Sequence, residues 1–155
     1  MGRALRCAFL APIVCVLGAC SSPLSVAELR TLSQAEARWA SRPFQSYSYE
    51  IVTSCGECPE VMTRWVRVAV SNGNVVSLVL IANDSALSVG DQASFTTIDG
   101  LFAQIRRYQH EDWVRDVKVT FDPQWGYPTS ISSFAKAGIM DAGADRYIRN
   151  LLPQS

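Results

Sequence analysis

The chain has 155 residues, 48% of them hydrophobic and 18% charged, with 14 basic side chains against 14 acidic ones. That composition excludes a disordered or fibrous protein, and the charge balance leaves no basic surplus for binding nucleic acid. The length suits one domain built around a single hydrophobic core.

In chain order, the first predicted element stands apart from the fold. Arg3 and Arg6 precede an apolar run from Cys7 to Leu17, and the small residues Gly18 and Ala19 follow. This is the three-part layout of an export signal. The run is about half the ~20 residues that a membrane-spanning helix needs, and Pro12 interrupts it, so a permanent span is not expected. The tetrad Leu17, Gly18, Ala19, Cys20 resembles the bacterial lipobox. The resemblance implies cleavage after residue 19 and lipidation of Cys20 with a diacylglyceryl group and an amide-linked chain, together enough for stable anchoring. Ser21 in place of aspartate resembles the default signal for sorting to an outer membrane, if the host has two membranes. The expected organisation is a signal peptide over 1–19, a lipidated tether over 20–24 and one globular domain over 25–155. Removing 19 of the 155 residues takes away two arginines and leaves a slightly acidic domain. A tether this short, at most about 3.5 Å per residue, keeps the domain close to the bilayer.

Ser25 and Glu28 have capping-box spacing, and Val26, Leu29, Leu32 and Trp39 recur on one helical face. Ser33 and Glu36 repeat the spacing, so the helix has a place to restart, and Pro43 terminates it. Tyr47, Tyr49, Ile51 and Thr53 alternate with more polar neighbours, as in a half-buried strand. After a turn at Cys55 to Glu60, a second strand is predicted from Val61 to Val70, with Val66, Val68 and Val70 opposite Trp65 and Arg67. Asn72-Gly73 marks a hairpin into a third strand, Val75 to Ala82, whose apolar run predicts a strand covered on both faces or placed centrally. Asn83 to Ser94 reads as a polar loop.

Ile98, Leu101, Phe102, Ile105 and Tyr108 then follow helical spacing, with Thr96 and Asp99 as a capping pair and Arg106 and Arg107 at the C-terminal end. Val117, Val119 and Phe121 define a fourth strand. Asp122, Pro123 and Gly126 turn the chain into a fifth strand around Ile131, and Tyr147 to Leu152 reads as a last strand or a short helix. The expected fold is α+β: an antiparallel sheet of five or six strands with helices on one face. The Trp39 helix, the Tyr-x-Tyr strand, the cysteine pair, the Asn-Gly hairpin, TIDGLFAQI and VTFDPQWGYPTSI together resemble a family of small exported bacterial domains of unknown function. That resemblance carries no catalytic or ligand-binding residue with it.

Chemistry-bearing residues are few. Cys55 and Cys58 are the thiols left after Cys7, Cys15 and Cys20 are accounted for, and in an oxidising compartment an even pair reads first as a structural disulfide. CGEC differs from the redox motif CGPC at one position, but Pro59, Glu60 and a β-branched run follow it, where redox chemistry wants a helix N-terminus. Two thiols and His110 fall short of the four ligands of a closed zinc site, which leaves only a zinc shared between chains. Pro59 stands where covalent haem attachment requires histidine. His110, Glu111 and Asp112 read as a solvated turn, since Val114 occupies the position of the second histidine of HExxH. Trp65, Trp113, Trp125 and Tyr127 are the aromatics able to form a contact surface. Trp125 and Tyr127, in one turn, form either a folded corner or a binding site. No cofactor or metal is expected and no enzymatic activity is indicated. The expected partners are the membrane, through the lipid, and an envelope protein. The leading expectation is a lipid-anchored binding or scaffold module of the cell envelope. The alternatives are a thiol–disulfide protein using Cys55 and Cys58, and an inhibitor or sensor of an envelope enzyme.

Overall fold

The computed structural model describes residues 22–139 and 142–154, so the expected signal peptide and Cys20 lie outside the described residues. The first helix, α1, spans Val26–Ala40 without interruption. Ser25 caps it: the Glu28 amide donates to the Ser25 hydroxyl and the Glu28 carboxylate accepts from the Ser25 amide, so two otherwise orphaned donors are satisfied. The Ser25 hydroxyl and then the Ser25 amide, both donating to the Glu28 carboxylate, hold that carboxyl below its ordinary pKa. No restart occurs at Ser33, whose hydroxyl bonds back to the Leu29 carbonyl within the continuing helix.

Strand β1 spans Ser46–Cys55, and a short 3-10 turn, Glu60–Thr63, leads into β2 at Val66–Ser71. β2 therefore starts five residues later than the sequence predicts. Asn72 and Gly73, both at positive φ, turn the chain into β3 at Asn74–Leu80. Positive φ at both turn positions matches the right-handed twist of the paired strands, which is why Asn-Gly stands there. The expected polar loop contains a two-residue strand, β4 at Ser85–Ala86, and a 3-10 helix over Val89–Ser94. Helix α2 spans Ile98–Arg107 and is capped by Thr97, not Thr96, through the Gly100 amide. β5 at Val114–Phe121, β6 at Pro128–Ala135 and β7 at Ala144–Gln154 complete the fold.

The sheet is antiparallel and has seven strands in the order β4-β3-β2-β1-β7-β6-β5, where the sequence predicts five or six. Two meanders, β1 to β4 and β5 to β7, are joined through the pairing of β1 with β7. The segment read as a last strand or short helix lies within an 11-residue strand, β7, beside the central strand β1. β3, predicted to be central or doubly covered, is second from the edge, and only Leu78 and Leu80 of it are buried. Its consecutive valines reflect a bulge. Val70 pairs with Val75 but Ala69 with Ser77, so Val76 is an extra residue and lies exposed.

Both helices cover one face of the sheet, here called the inner face. Leu32, Ala35 and Trp39 of α1 and Ile98, Leu101, Phe102 and Ile105 of α2 pack with Tyr47, Tyr49, Val66, Val68 and Val70. Buried apolar side chains each stabilise the fold by about 1.5–3 kcal/mol. Two tyrosine hydroxyls tie α2 to β1: Tyr47 accepts from the Ile98 amide at 3.1 Å, and Tyr49 donates to the Thr96 carbonyl. Burial pushes the Tyr47 hydroxyl up to about 12 and the Tyr49 hydroxyl higher still. Arg106 of α2 pairs with Glu36 of α1, a partly exposed ion pair that bridges the two helices.

Candidate functional site

The Asp122 to Pro128 turn, where a contact surface was one expectation, is built as a corner clamped onto α1. The Asp122 carboxylate accepts from the amides of Gln124 and Trp125, and its carbonyl accepts from the Gly126 amide. Gly126 has φ +81°, and a Cβ there would stand 2.3 Å from the Ala35 carbonyl oxygen, so only glycine allows this approach to the helix. Tyr127 is buried and Trp125 packs edge-on against Phe44 at 5.2 Å. Cys55 and Cys58 are joined as a disulfide, with Cα atoms 5.5 Å apart, where β1 runs out into the turn. His110 is exposed at the end of the 3-10 turn that follows α2. Among the described residues no group of three His, Cys, Asp or Glu is placed to hold a metal ion.

The outer face of the sheet carries a charge network that sequence reasoning missed. Glu50 is 7% exposed, and its carboxylate accepts from Arg149 Nε at 3.0 Å and Asn150 Nδ2 at 2.9 Å, with Arg67 at 3.6 Å. Register puts Glu50 directly between Arg67 on β2 and Arg149 on β7. The β1–β7 register then shifts by one residue, and Asn150, at φ +52°, is the extra residue whose amide turns to the carboxylate. The Arg149 guanidinium lies 3.7 Å over the Trp65 ring. Every charge in this network is answered by another.

The inner face holds a cleft between α2 and the β1/β7/β6 region of the sheet. An inner cavity of about 480 Å³ is walled by Ile51, Met62, Phe95 and Leu101, and an outer one of about 420 Å³ by Cys55, Trp113 and Ser133. Gln104, Arg107 and Arg146 line both, so these three side chains stand where the cavities meet. Arg146 belongs to the covered face, flanked in register by the buried residues Thr53 and Ile131. Its Nη1 donates to the Tyr108 hydroxyl at 3.0 Å, and Gln104 Nε2 donates to the same oxygen at 3.2 Å. Neither bond uses the hydroxyl's own proton, which remains available to donate. Among the described residues no carboxylate comes within 4.0 Å of Arg107 or Arg146.

Residues 31–152 match the family of unknown function DUF6174, from α1 to near the end of β7. The chain belongs to that family. The DUF6174 match takes in both faces of the sheet, the disulfide, the Gly126 corner and the whole cleft, and it assigns no activity to any of them. No curated protein and no solved structure matches the chain. Of the candidate site residues, the sequence could have offered Arg107 only as a cation at a helix end and Arg146 only as a charge just before the last element read from it, Tyr147 to Leu152. Their convergence required the strand order.

Proposed function

We propose that this protein is a lipid-anchored binding module of the bacterial cell envelope, non-enzymatic, whose binding site is the cleft beneath α2. The observation that carries this reading is that Arg107 and Arg146 line the junction of two cavities with, among the described residues, no carboxylate within 4.0 Å of either. Together the cavities have the size of a small-ligand site. The anchor is supported by the lipobox and by how soon the fold begins after it. Ser22 bonds to Gln109, the Pro23 carbonyl accepts from the Val117 amide and Leu24 is buried. Cys20 is two residues before Ser22, so its Cα would be within roughly 7 Å of a residue hydrogen-bonded to the fold. The described domain would then ride directly on the membrane surface.

The cysteine pair is read as a structural brace. Cys55 ends a strand, and Cys58 leads through Pro59 into a four-residue 3-10 turn, so neither sulfur has the α-helix N-terminus that would favour a thiolate. A second reading, an inhibitor or sensor of an envelope enzyme, is favoured by Tyr147 and Leu152, 49% and 59% exposed on the outer face. Crosslinking from position 147 in intact cells to one defined protein would favour that reading.

Intact-mass analysis of protein extracted from membranes tests the main proposal. The expected mass is that of a chain starting at Cys20, carrying lipid and lacking two hydrogens for the Cys55–Cys58 bridge. A soluble product retaining Met1, or an unmodified Cys20, would overturn the anchor. A specific turnover abolished by a cleft substitution would overturn the non-enzymatic assignment.

A further inference from the structure

From the chemistry of its walls, we infer that the cleft under α2 binds a small oxyanion, a carboxylate or phosphate carried on an apolar body. The inference rests on the reading of the cleft as the binding site and is independent of the anchor.

The junction of the two cavities is rich in donors. Arg107 and Arg146 each carry five N–H groups and no acceptor, and Arg146 spends one of them on Tyr108. Tyr108 accepts twice and keeps its proton, while Gln104 uses an amide N–H on the same oxygen. Withdrawing a cation from water is unfavourable unless an anion or acceptor compensates. Arg146 meets that condition badly. It stands on the covered face between Thr53 and Ile131 and is only partly exposed, and its side-chain partner among the described residues is a neutral hydroxyl. A second cation, Arg107, lines the same two cavities, and like charges in one cleft repel. Glu111 lines the outer cavity but lies beyond 4.0 Å from both guanidiniums, so among the described residues two cations face one acid there.

A ligand oxyanion supplies the missing charge. The planar guanidinium fork matches a carboxylate or phosphate in two parallel bonds, and the Tyr108 hydroxyl adds a third donor. Beyond the junction, the inner cavity of about 480 Å³ sets Ile51, Met62, Phe95 and Leu101 beside Thr53, Ser94 and Thr96, so it has apolar wall for a body attached to the oxyanion, which a bare inorganic ion would leave uncovered. The outer face shows the contrast within the same molecule, because there Glu50 already answers two arginines.

The test is calorimetric titration of the purified full chain with benzoate, phenyl phosphate, inorganic phosphate and the uncharged benzamide. Benzoate or phenyl phosphate should bind saturably, at least tenfold tighter than benzamide, and inorganic phosphate more weakly than its phenyl ester. Preference between benzoate and phenyl phosphate identifies the head group. Arg107→Gln/Arg146→Gln should weaken the preferred oxyanion at least tenfold while leaving the melting temperature nearly unchanged. Arg107→Gln alone, at an exposed helix position, should weaken it several-fold and guards against misfolding of the double variant. Equal affinity for benzoate and benzamide, or variants that bind as the parent does, would overturn the oxyanion while leaving a binding cleft. The absence of saturable binding for every probe through the millimolar range would overturn the inference as well.

Discussion

The two faces of the sheet use the same residue types to opposite ends. On the outer face a nearly buried glutamate sits between two arginines and an asparagine, so each charge has a partner and the network closes on itself. On the inner face two arginines line the meeting of two cavities beside a tyrosine hydroxyl, and among the described residues no carboxylate lies within 4.0 Å of either guanidinium. Charge that is answered internally holds strands in register; charge left unanswered beside a cavity is available to a ligand. The difference comes from β7, which sends Arg149 outward to Glu50 and Arg146 inward to the neutral Tyr108 hydroxyl at the edge of the cleft.

Breaking the closed network should have the largest effect. Glu50→Ala leaves Arg67 and Arg149 facing each other across β1, and because both guanidiniums are about half exposed we expect a loss of about 2–3 kcal/mol, below the usual figure for a fully buried pair. Denaturant unfolding measures it, and a loss below about 0.5 kcal/mol would reduce the network to surface decoration. Next comes the brace. Cys55→Ser/Cys58→Ser opens a very short loop and should cost about 2 kcal/mol by loop entropy, read as a lowered denaturation midpoint without reductant.

Tyr47→Phe should cost about 1 kcal/mol at neutral pH, from the bond to the Ile98 amide. It also has a signature in alkali. Burial raises the folded hydroxyl to about 12, above the unfolded value near 10, so the stability it contributes is complete below about pH 10 and lost as pH rises through about 12. Tyr47→Phe should flatten that decline in a series of unfolding curves from neutral to alkaline pH. The smallest effect is expected on the inner face: Arg107→Gln/Arg146→Gln should change stability by less than about 0.5 kcal/mol in the absence of ligand. A large loss there would mean that the two arginines hold the fold together as Glu50 does, and the contrast between the faces would disappear.

Much of the scaffold was legible from local signals. The Ser25 capping box, the alternation of Tyr47, Tyr49 and Ile51, the Asn72-Gly73 hairpin and the apolar stripe of α2 each record a preference of neighbouring residues for one backbone geometry. The cleft and the Glu50 network were not legible, because their members are far apart in sequence: Glu50 and Arg149 are 99 residues apart, and Tyr108 and Arg146 are 38 apart. β7 was ambiguous for a related reason. Asn150 inserts a bulge that breaks its two-residue period, and arginines occupy both of its faces.

The sequence by itself determined the α+β class, the main helices and most of the strands, and the cysteine pair, since capping, periodicity and turn chemistry act over a few residues. Only the tertiary structure decided that the chain's last strand lies beside its first, and with that which charges meet. A side chain's face is set by the two-residue period of its strand, but the partner opposite is set by strand order, which no local preference encodes.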